Sequence, residues 1–203
     1  MTASPAACLH PSNLVTYLSL CAAVGAIAAA THGSLPGAGA LVAVAVIADT
    51  FDGRFARLFA RTDAQRAFGS YLDSLSDAVV FGLAPAWCMA ALLPPAPSAV
   101  VEAAWWLAVC CYAVCTLTRL AFYHLQTTSA TTFVGVPAPV AALLWSSALL
   151  FHPGRTAATA IFIAIGLAMI APVPIRRPGG AGMAGFVSWP VLVFAAHVSA
   201  FTR

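Results

Sequence analysis

The chain has 203 residues, of which 62% are hydrophobic and only 7% are charged, and its formal net charge is +3. This composition excludes an ordinary soluble domain and indicates a protein embedded in a bilayer. All the basic residues apart from histidine are arginines, and none of them forms the kind of run that binds nucleic acid, so we expect no nucleic-acid partner.

Apolar runs long enough to cross a bilayer, at about 20 residues per crossing, follow one another along the chain. They predict helices over about 13–30, 37–60, 69–93, 103–125, 134–151, 156–173 and 184–202. We therefore predict an all-α, polytopic membrane protein with a six-helix transmembrane core and a seventh, C-terminal helix. The whole chain, 1–203, is expected to be one domain, with its core at about 10–175 and an accessory helix at about 184–202.

The arginines predict the orientation of these spans. If the spans alternate in direction, seven arginines fall on one side of the membrane, which the positive-inside rule identifies as the cytoplasmic side. They are Arg54, Arg57, Arg61, Arg66, Arg119, Arg176 and Arg177. We expect a bacterial inner membrane, with the N-terminus and the acidic residues described next on its cytoplasmic side.

Four of the six acidic residues lie in or beside the second and third predicted spans. Asp49 and Asp52 are three residues apart, and Asp73 and Asp77 are four apart, so each pair shares one face of a helix. An unpaired Asp near the bilayer centre costs about 2.5–3.5 kcal/mol, so a cation must compensate these pairs. The neighbouring arginines are one candidate; hard oxygen donors favour the other, a divalent metal such as Mg²⁺, Mn²⁺ or Ca²⁺.

Further basic residues stand at or near the ends of later spans. Arg119 lies within the fourth span, where burial is costly, so it either serves a function or extends to the membrane surface. Arg176 and Arg177 follow the sixth span and either bind lipid phosphate or only fix the topology. The six cysteines show no CxxC spacing and are expected to be packing residues. Among the histidines, which lie near the predicted helix ends, His124 is the one on the side of the acidic residues that merits a test.

The acidic residues belong to a longer pattern. It reads Asp49-x-x-Asp52-Gly53-x-x-Ala56-Arg57 and then Gly69-x-x-x-Asp73-x-x-x-Asp77. This pattern resembles the signature of the CDP-alcohol phosphatidyltransferases, integral membrane enzymes of phospholipid synthesis, and the resemblance covers about residues 10–175. The linker 58–68 is longer than is usual in that family, so we expect a longer turn between the second and third helices.

The resemblance implies roles for individual residues. Asp49, Asp52, Asp73 and Asp77 would bind Mg²⁺ or Mn²⁺, and Asp77 would also accept the proton of the attacking alcohol. The nucleotide of the donor would lie near Asn13, Gly53, Ala56, Arg57 and Gly69. For Asn13 the alternative is that it or Ser12 caps the first helix. For Gly53 and Ala56 the alternative is close packing of helices by small residues.

Two shorter stretches resemble the phosphatidylserine synthase branch of the family. They are the residues from Arg119 through the segment 133–139, and the segment 169–178. The branch implies transfer of a phosphatidyl group from CDP-diacylglycerol to L-serine with release of CMP, and Arg119 would recognise the serine carboxylate. Glycerol phosphate or inositol phosphate remains open as the acceptor. Two other functions also remain open, a membrane cation transporter and an inactive scaffold. A homodimer is possible.

Overall fold

The computed structural model describes residues 8–125, 132–176 and 181–201, and residues 176 and 181 are described by their backbone alone. A short 3-10 turn, Pro11–Asn13, leads into the first helix. The helices are α1 (Leu14–Thr31), α2 (Leu35–Ala56), α3 (Asp63–Asp77), α4 (Ala84–Leu92), α5 (Ala99–Leu125), α6 (Ala138–Leu149), α7 (Arg155–Ile170) and α8 (Ala181–Ala200). A π-helical turn, Ala78–Leu83, joins α3 to α4 without a break.

The predicted all-α polytopic membrane fold is confirmed. Five helical stretches in the described residues are long and apolar enough to cross a membrane. They are Pro11–Thr31, Leu35–Ala56, Asp63–Leu92, Ala99–Leu125 and Gly182–Ala200. The fifth and sixth predicted spans are shorter than expected, because α6 has 12 residues and α7 has 16. The fifth starts late because Pro137 and Pro139 follow an extended segment.

That extended segment forms a small antiparallel ribbon that sequence periodicity did not predict. Strand β1 (Thr132–Val134) pairs with strand β2 (Pro174–Arg176), and Phe133 lies opposite Ile175. The ribbon therefore joins the chain entering α6 to the chain leaving α7.

The core has two parts. Buried alanines let α1 and α2 approach closely, as small residues do in membrane proteins, and Ser19 Oγ of α1 donates to Ala45 O of α2 over 2.9 Å. The other part is aromatic: Trp105 and Tyr112 of α5 pack with Trp145 of α6 and Phe162 of α7. Large apolar side chains on the outer faces of the helices remain exposed, as expected for a surface in contact with lipid.

The third helix begins earlier than the expected start near Gly69. Thr62 and Gln65 form a capping box: Gln65 N donates to Thr62 Oγ1 over 3.2 Å, and Thr62 N donates to Gln65 Oε1 over 3.0 Å. The linker 58–68 is therefore only in part a turn, since its second half is the start of α3. The turn between the two helices is residues 57–62, and its being longer than in the family stays a prediction.

The first helix also begins differently. Asn13 stands at the N-cap position of α1 but makes no side-chain capping hydrogen bond. His10 caps the preceding 3-10 turn instead, because its Nδ1 accepts from Ser12 N over 3.2 Å. The alternative that the side chain of Ser12 or Asn13 caps the helix was therefore wrong.

The C-terminal helix is anchored by a close contact with α2. His197 of α8 is fully buried, its Nε2 lies 2.9 Å from Ser146 O, and its ring occupies the place that a Cβ at Gly39 would take. We expect Gly39→Ala to lower the free energy of unfolding by about 1–3 kcal/mol, the usual cost of overpacking. Gly185→Ala is the control, since a Cβ there meets nothing within 4 Å. Thermal unfolding in detergent measures both, and equal melting temperatures would contradict the prediction.

Candidate active site

A cavity of about 700 Å³ lies where α2, α3, α5, α6, the ribbon and the start of α8 meet. Its polar wall consists of Asp49, Thr50, Asp52, Asp73, Asp77, Arg119 and Tyr123. Its apolar wall consists of Leu120, Phe133, Val136, Pro137, Ala138, Pro139, Val140, Ile175, Gly182, Met183 and Phe186. The four aspartates selected from the sequence thus meet in one place.

Three of these aspartates converge closely. One carboxylate oxygen from each of Asp49, Asp52 and Asp73 lies within 4.8 Å of the other two. Helices α2 and α3 bring them together, because the three-residue and four-residue spacings put each pair on one helix face. Asp77 lines the same cavity one turn beyond Asp73 but is not one of this set of three. A cluster of carboxylate oxygens suits Mg²⁺ or Mn²⁺ better than it suits zinc.

Helix α1 supports the cluster through a residue 36 positions away from it in sequence. Thr16 Oγ1 donates a hydrogen bond to Asp52 Oδ2 over 3.2 Å, and Thr16 is almost fully buried. This bond restricts the orientation of the Asp52 carboxylate within the cluster. Sequence spacing did not pair these two residues, because they lie on different helices.

Arg119 is buried at the cavity, with a relative exposure of 8%. Its Nε has no hydrogen-bond partner among the described residues. A buried guanidinium with an unused donor beside a cavity is well placed to bind an anionic group that enters there. Thr116, which nearly shares its face, donates instead to Tyr112 O over 2.9 Å and does not line the described cavity.

Other residues selected from the sequence lie outside the cavity wall that the described residues form. They are Asn13, Gly53, Ala56, Arg57 and Gly69. Gly69 packs against Asn13, since a Cβ at position 69 would lie 3.2 Å from Asn13 Oδ1, whereas a Cβ at Gly53 would meet nothing within 4 Å. The open space at Gly53 is compatible with close approach of a ligand, and nucleotide contacts at all five stay predictions.

The structure describes the two arginines after the sixth span only in part. The backbone of Arg176 ends strand β2, where it pairs with Thr132. The side chain of Arg176 and all of Arg177 lie outside the described residues. Their expected contact with lipid phosphate stays a prediction.

Sequence reasoning assigned no role to the apolar wall of the cavity, although much of it lies in the two stretches that resemble the phosphatidylserine synthase branch. The helix expected only as an accessory, α8, contributes Gly182, Met183 and Phe186, and the ribbon contributes Phe133 and Ile175. Tyr123, near the end of α5, lies beside Phe133 with the ring centroids 6.3 Å apart. No local periodicity indicates such contacts, because the segments that make them are far apart in sequence.

His124, the histidine singled out above, also lies near this end of the molecule. Its Nε2 contacts Ser74 Oγ of α3, and Ser74 is the neighbour of Asp73. The contact joins the end of α5 to α3 at an exposed position, and His124 itself does not line the described cavity.

Comparison with known proteins gives concordant results. A family model described as CDP-alcohol phosphatidyltransferase matches residues 9–196. The chain is 39% identical over 139 residues to the CDP-diacylglycerol–serine O-phosphatidyltransferases of Mycobacterium tuberculosis and Mycobacterium bovis, which covers 64% of this chain and 46% of each relative. It is 33% identical over 174 residues to the archaetidylserine synthase of Methanothermobacter thermautotrophicus, which covers 84% of this chain and 71% of that protein. The matched region thus spans about half the length of the mycobacterial relatives.

Proposed function

The chain belongs to the CDP-alcohol phosphatidyltransferase family, and we propose that it transfers a phosphatidyl group from CDP-diacylglycerol to L-serine. The serine hydroxyl oxygen forms the new bond to phosphorus, the bond between that phosphorus and the pyrophosphate bridge breaks, and CMP leaves. The observation that carries the choice of serine is the buried Arg119 on the cavity wall beside the aspartates, the one basic side chain among the described residues that line the cavity. The printed names of the relatives support the same choice.

Members of this family use divalent metals, and the aspartates of this chain fit one. We propose Mg²⁺ or Mn²⁺, held by Asp49, Asp52 and Asp73 with Asp77 beside them. When bound, the metal would neutralise charge on the pyrophosphate and on the leaving phosphate oxygen. The bound metal would also compensate the negative charge of the aspartates, which are costly to place unpaired in an apolar environment.

The protein side chains have separate roles in this proposal. Asp77 accepts the proton of the serine hydroxyl, which makes the oxygen a better nucleophile. Arg119 binds the serine carboxylate and so holds the hydroxyl near the donor phosphate. Thr16 holds Asp52 in one orientation through its hydrogen bond. Phosphoryl-type transfer depends mostly on such positioning and charge neutralisation.

The charge of the cavity favours a zwitterionic acceptor over a polyol phosphate. Arg119 is the one basic side chain among the described residues that line it. Glycerol phosphate and inositol phosphate carry about two negative charges and need a denser basic pocket. Arg61 and Arg66 do not line the described cavity, and Arg66 pairs with Asp63 at the surface. These two arginines therefore give the alternative acceptors no support.

The cellular setting is part of the same proposal. The apolar helices fit an integral membrane protein. We place it in a bacterial inner membrane with the active site on the cytoplasmic side, because most arginines cluster at that end. CDP-diacylglycerol, membrane lipids and serine are its proposed partners, and a homodimer stays a prediction.

An acceptor panel tests the proposal directly. Purified protein in mixed micelles receives CDP-diacylglycerol, Mn²⁺ and one of four acceptors: serine, ethanolamine, glycerol 3-phosphate or inositol phosphate. We expect CMP release with serine alone, since ethanolamine lacks the carboxylate that Arg119 would bind. Turnover with a phosphorylated polyol but not with serine would reject serine as the acceptor and leave the family chemistry intact.

Arg119→Ala is expected to raise the KM for serine about tenfold to a hundredfold, the effect of losing a hydrogen bond to a charged group worth about 1.5–3 kcal/mol. The KM for CDP-diacylglycerol should change little, because Arg119 is assigned to the acceptor. Initial rates over a serine series give both constants. Arg66→Ala is the matched control, since its guanidinium is more than half exposed at the surface. An unchanged KM for serine in Arg119→Ala would remove this residue from acceptor recognition.

A further inference from the structure

The helix that carries Asp73 and Asp77 is interrupted shortly beyond them by Pro85. In a regular α-helix the N–H of residue 85 would bond to the carbonyl of Phe81, but proline has no N–H and its ring clashes with that carbonyl. Before this proline the chain forms the π turn Ala78–Leu83, in which Ala84 N donates to Val79 O. Such turns are rare and occur often at functional sites.

The carbonyl of Phe81, to which Pro85 has no N–H to donate, accepts a hydrogen bond from another helix. Tyr112 of α5 donates its phenolic O–H to Phe81 O over 2.7 Å, and both residues are fully buried. The Tyr112 ring is held by Phe162, with ring centroids 4.8 Å apart, and by Trp145, at 6.2 Å. A rigid hydroxyl from a neighbouring helix thus supplies the hydrogen bond that the sequence of α4 removes.

The π turn sets how the aspartates face relative to the core. In an unbroken α-helix, Asp77 would lie on the same stripe as Phe81 and Ala84, at intervals of four and three residues. Phe81 and Ala84 are fully buried in the apolar core, whereas Asp77 lines the cavity. The extra residue in the π turn rotates the side chains after it relative to those before it. Asp73 and Asp77 therefore face the cavity, while Phe81 and Ala84 pack in the core.

We propose that Tyr112 is a positioning residue of the active site. Its hydroxyl, bonded to Phe81 O, fixes the π turn and through it the angular position of Asp73 and Asp77 over the cavity. Tyr112 does not line the described cavity, so it acts only through this helix. The inference rests on the proposed function, because phosphatidyl transfer is one of its readouts.

Tyr112→Phe removes the hydroxyl and keeps the ring. We expect kcat to fall at least about tenfold, on the scale by which small misplacements of reacting groups slow enzymes. The KM for serine should stay within about threefold, because the contacts assigned to Arg119 are unchanged. Direct Mn²⁺ titration by electron paramagnetic resonance should show a dissociation constant raised several-fold, since Asp73 moves relative to Asp49 and Asp52.

Ser146→Ala is the matched control. Ser146 Oγ also donates to a helix carbonyl across the core, Gly39 O at 2.9 Å. That carbonyl keeps a donor in its own helix, because residue 43 is an alanine inside α2, whose backbone N–H can bond to the carbonyl four residues before it. We expect Ser146→Ala to keep wild-type kcat and Mn²⁺ affinity. If Tyr112→Phe and Ser146→Ala have equal kcat and equal Mn²⁺ affinity, the inference is overturned. If neither the wild type nor Ser146→Ala transfers a phosphatidyl group, the proposed function is overturned instead.

A double-mutant cycle with Pro85→Ala tests whether Tyr112 acts through Phe81 O. Alanine at position 85 restores a backbone N–H that, in a regular α-helix, bonds to this carbonyl. In the Pro85→Ala background, Tyr112→Phe should therefore change kcat by less than about twofold, whatever the effect of Pro85→Ala alone. If Tyr112→Phe alone is too unstable to purify, the double variant should still be recovered folded. Additive effects on kcat, or an unfolded double variant, would overturn the inference.

Discussion

Asp73→Asn is expected to lower kcat by about 10³-fold, the scale for losing one preorganised electrostatic group, and to weaken Mn²⁺ binding. The reason is geometric: an oxygen of Asp73 lies within 4.8 Å of oxygens of both Asp49 and Asp52, so its charge belongs to one cluster with theirs. Asparagine keeps the size of the side chain and removes the negative charge. CMP release measures turnover, and paramagnetic resonance of Mn²⁺ measures binding without any substrate.

Asp63→Asn is the control for this prediction. Asp63 begins the same helix, its side chain is 97% exposed, and it pairs with Arg66 at the surface. Exposed pairs contribute about 0–1 kcal/mol, so kcat and Mn²⁺ affinity should stay within about twofold of wild type. Full turnover of Asp73→Asn, or of the wild type in excess chelator, would contradict the assignment of the cluster as a metal site.

The acidic cluster could be predicted from sequence because its signal is local. The spacings of Asp49 with Asp52 and of Asp73 with Asp77 follow the helical repeat, and a buried acid in an apolar run is costly enough to demand a partner. The start of α3 was also encoded locally, by Thr62 and Gln65. It was missed because the apolar run begins several residues after the capping box.

The π turn shows where local reasoning stops. Pro85 indicates from sequence alone that the third span departs from a regular helix. The donor that satisfies Phe81 O, however, is Tyr112, which lies 31 residues further along the chain and is brought there only by packing of α5. Whether a proline bends a helix or widens one of its turns depends on such partners, and they have no periodic signature.

Arg155 illustrates the same limit at the opposite end of the molecule. If the predicted spans alternate in direction, Arg155 falls on the side of the membrane opposite the seven clustered arginines. In the structure it is buried, its Nε donates to Pro94 O over 3.0 Å, and its NH1 lies 3.3 Å from Glu102 Oε2. It therefore joins the start of α7 to the start of α5 and to the loop before α5. Neither the composition nor the topology rules predict this contact.

Asp77→Asn is expected to lower kcat by about 10²- to 10⁴-fold, the usual contribution of a general base, while the KM for CDP-diacylglycerol stays within about threefold. Asp77 lines the cavity one turn beyond Asp73, yet it is not one of the three aspartates whose oxygens lie within 4.8 Å of one another. The resemblance to the family assigns Asp77 the proton of the attacking hydroxyl, and its place on the cavity wall is compatible with that contact. Asparagine has no lone pair basic enough to take the proton.

The comparison of Asp77→Asn with Asp73→Asn separates the two roles. A base acts in the transition state, so its loss appears in kcat, whereas a metal ligand also acts before the reaction, so its loss appears in Mn²⁺ affinity as well. We therefore expect Mn²⁺ to bind Asp77→Asn much more tightly than it binds Asp73→Asn, although both variants turn over slowly. Asp77→Glu, which keeps a carboxylate at a longer reach, should recover part of kcat. If Asp77→Asn instead loses Mn²⁺ affinity as strongly as Asp73→Asn, and Asp77→Glu recovers no activity, Asp77 is a metal ligand and the proton of the serine hydroxyl has another acceptor.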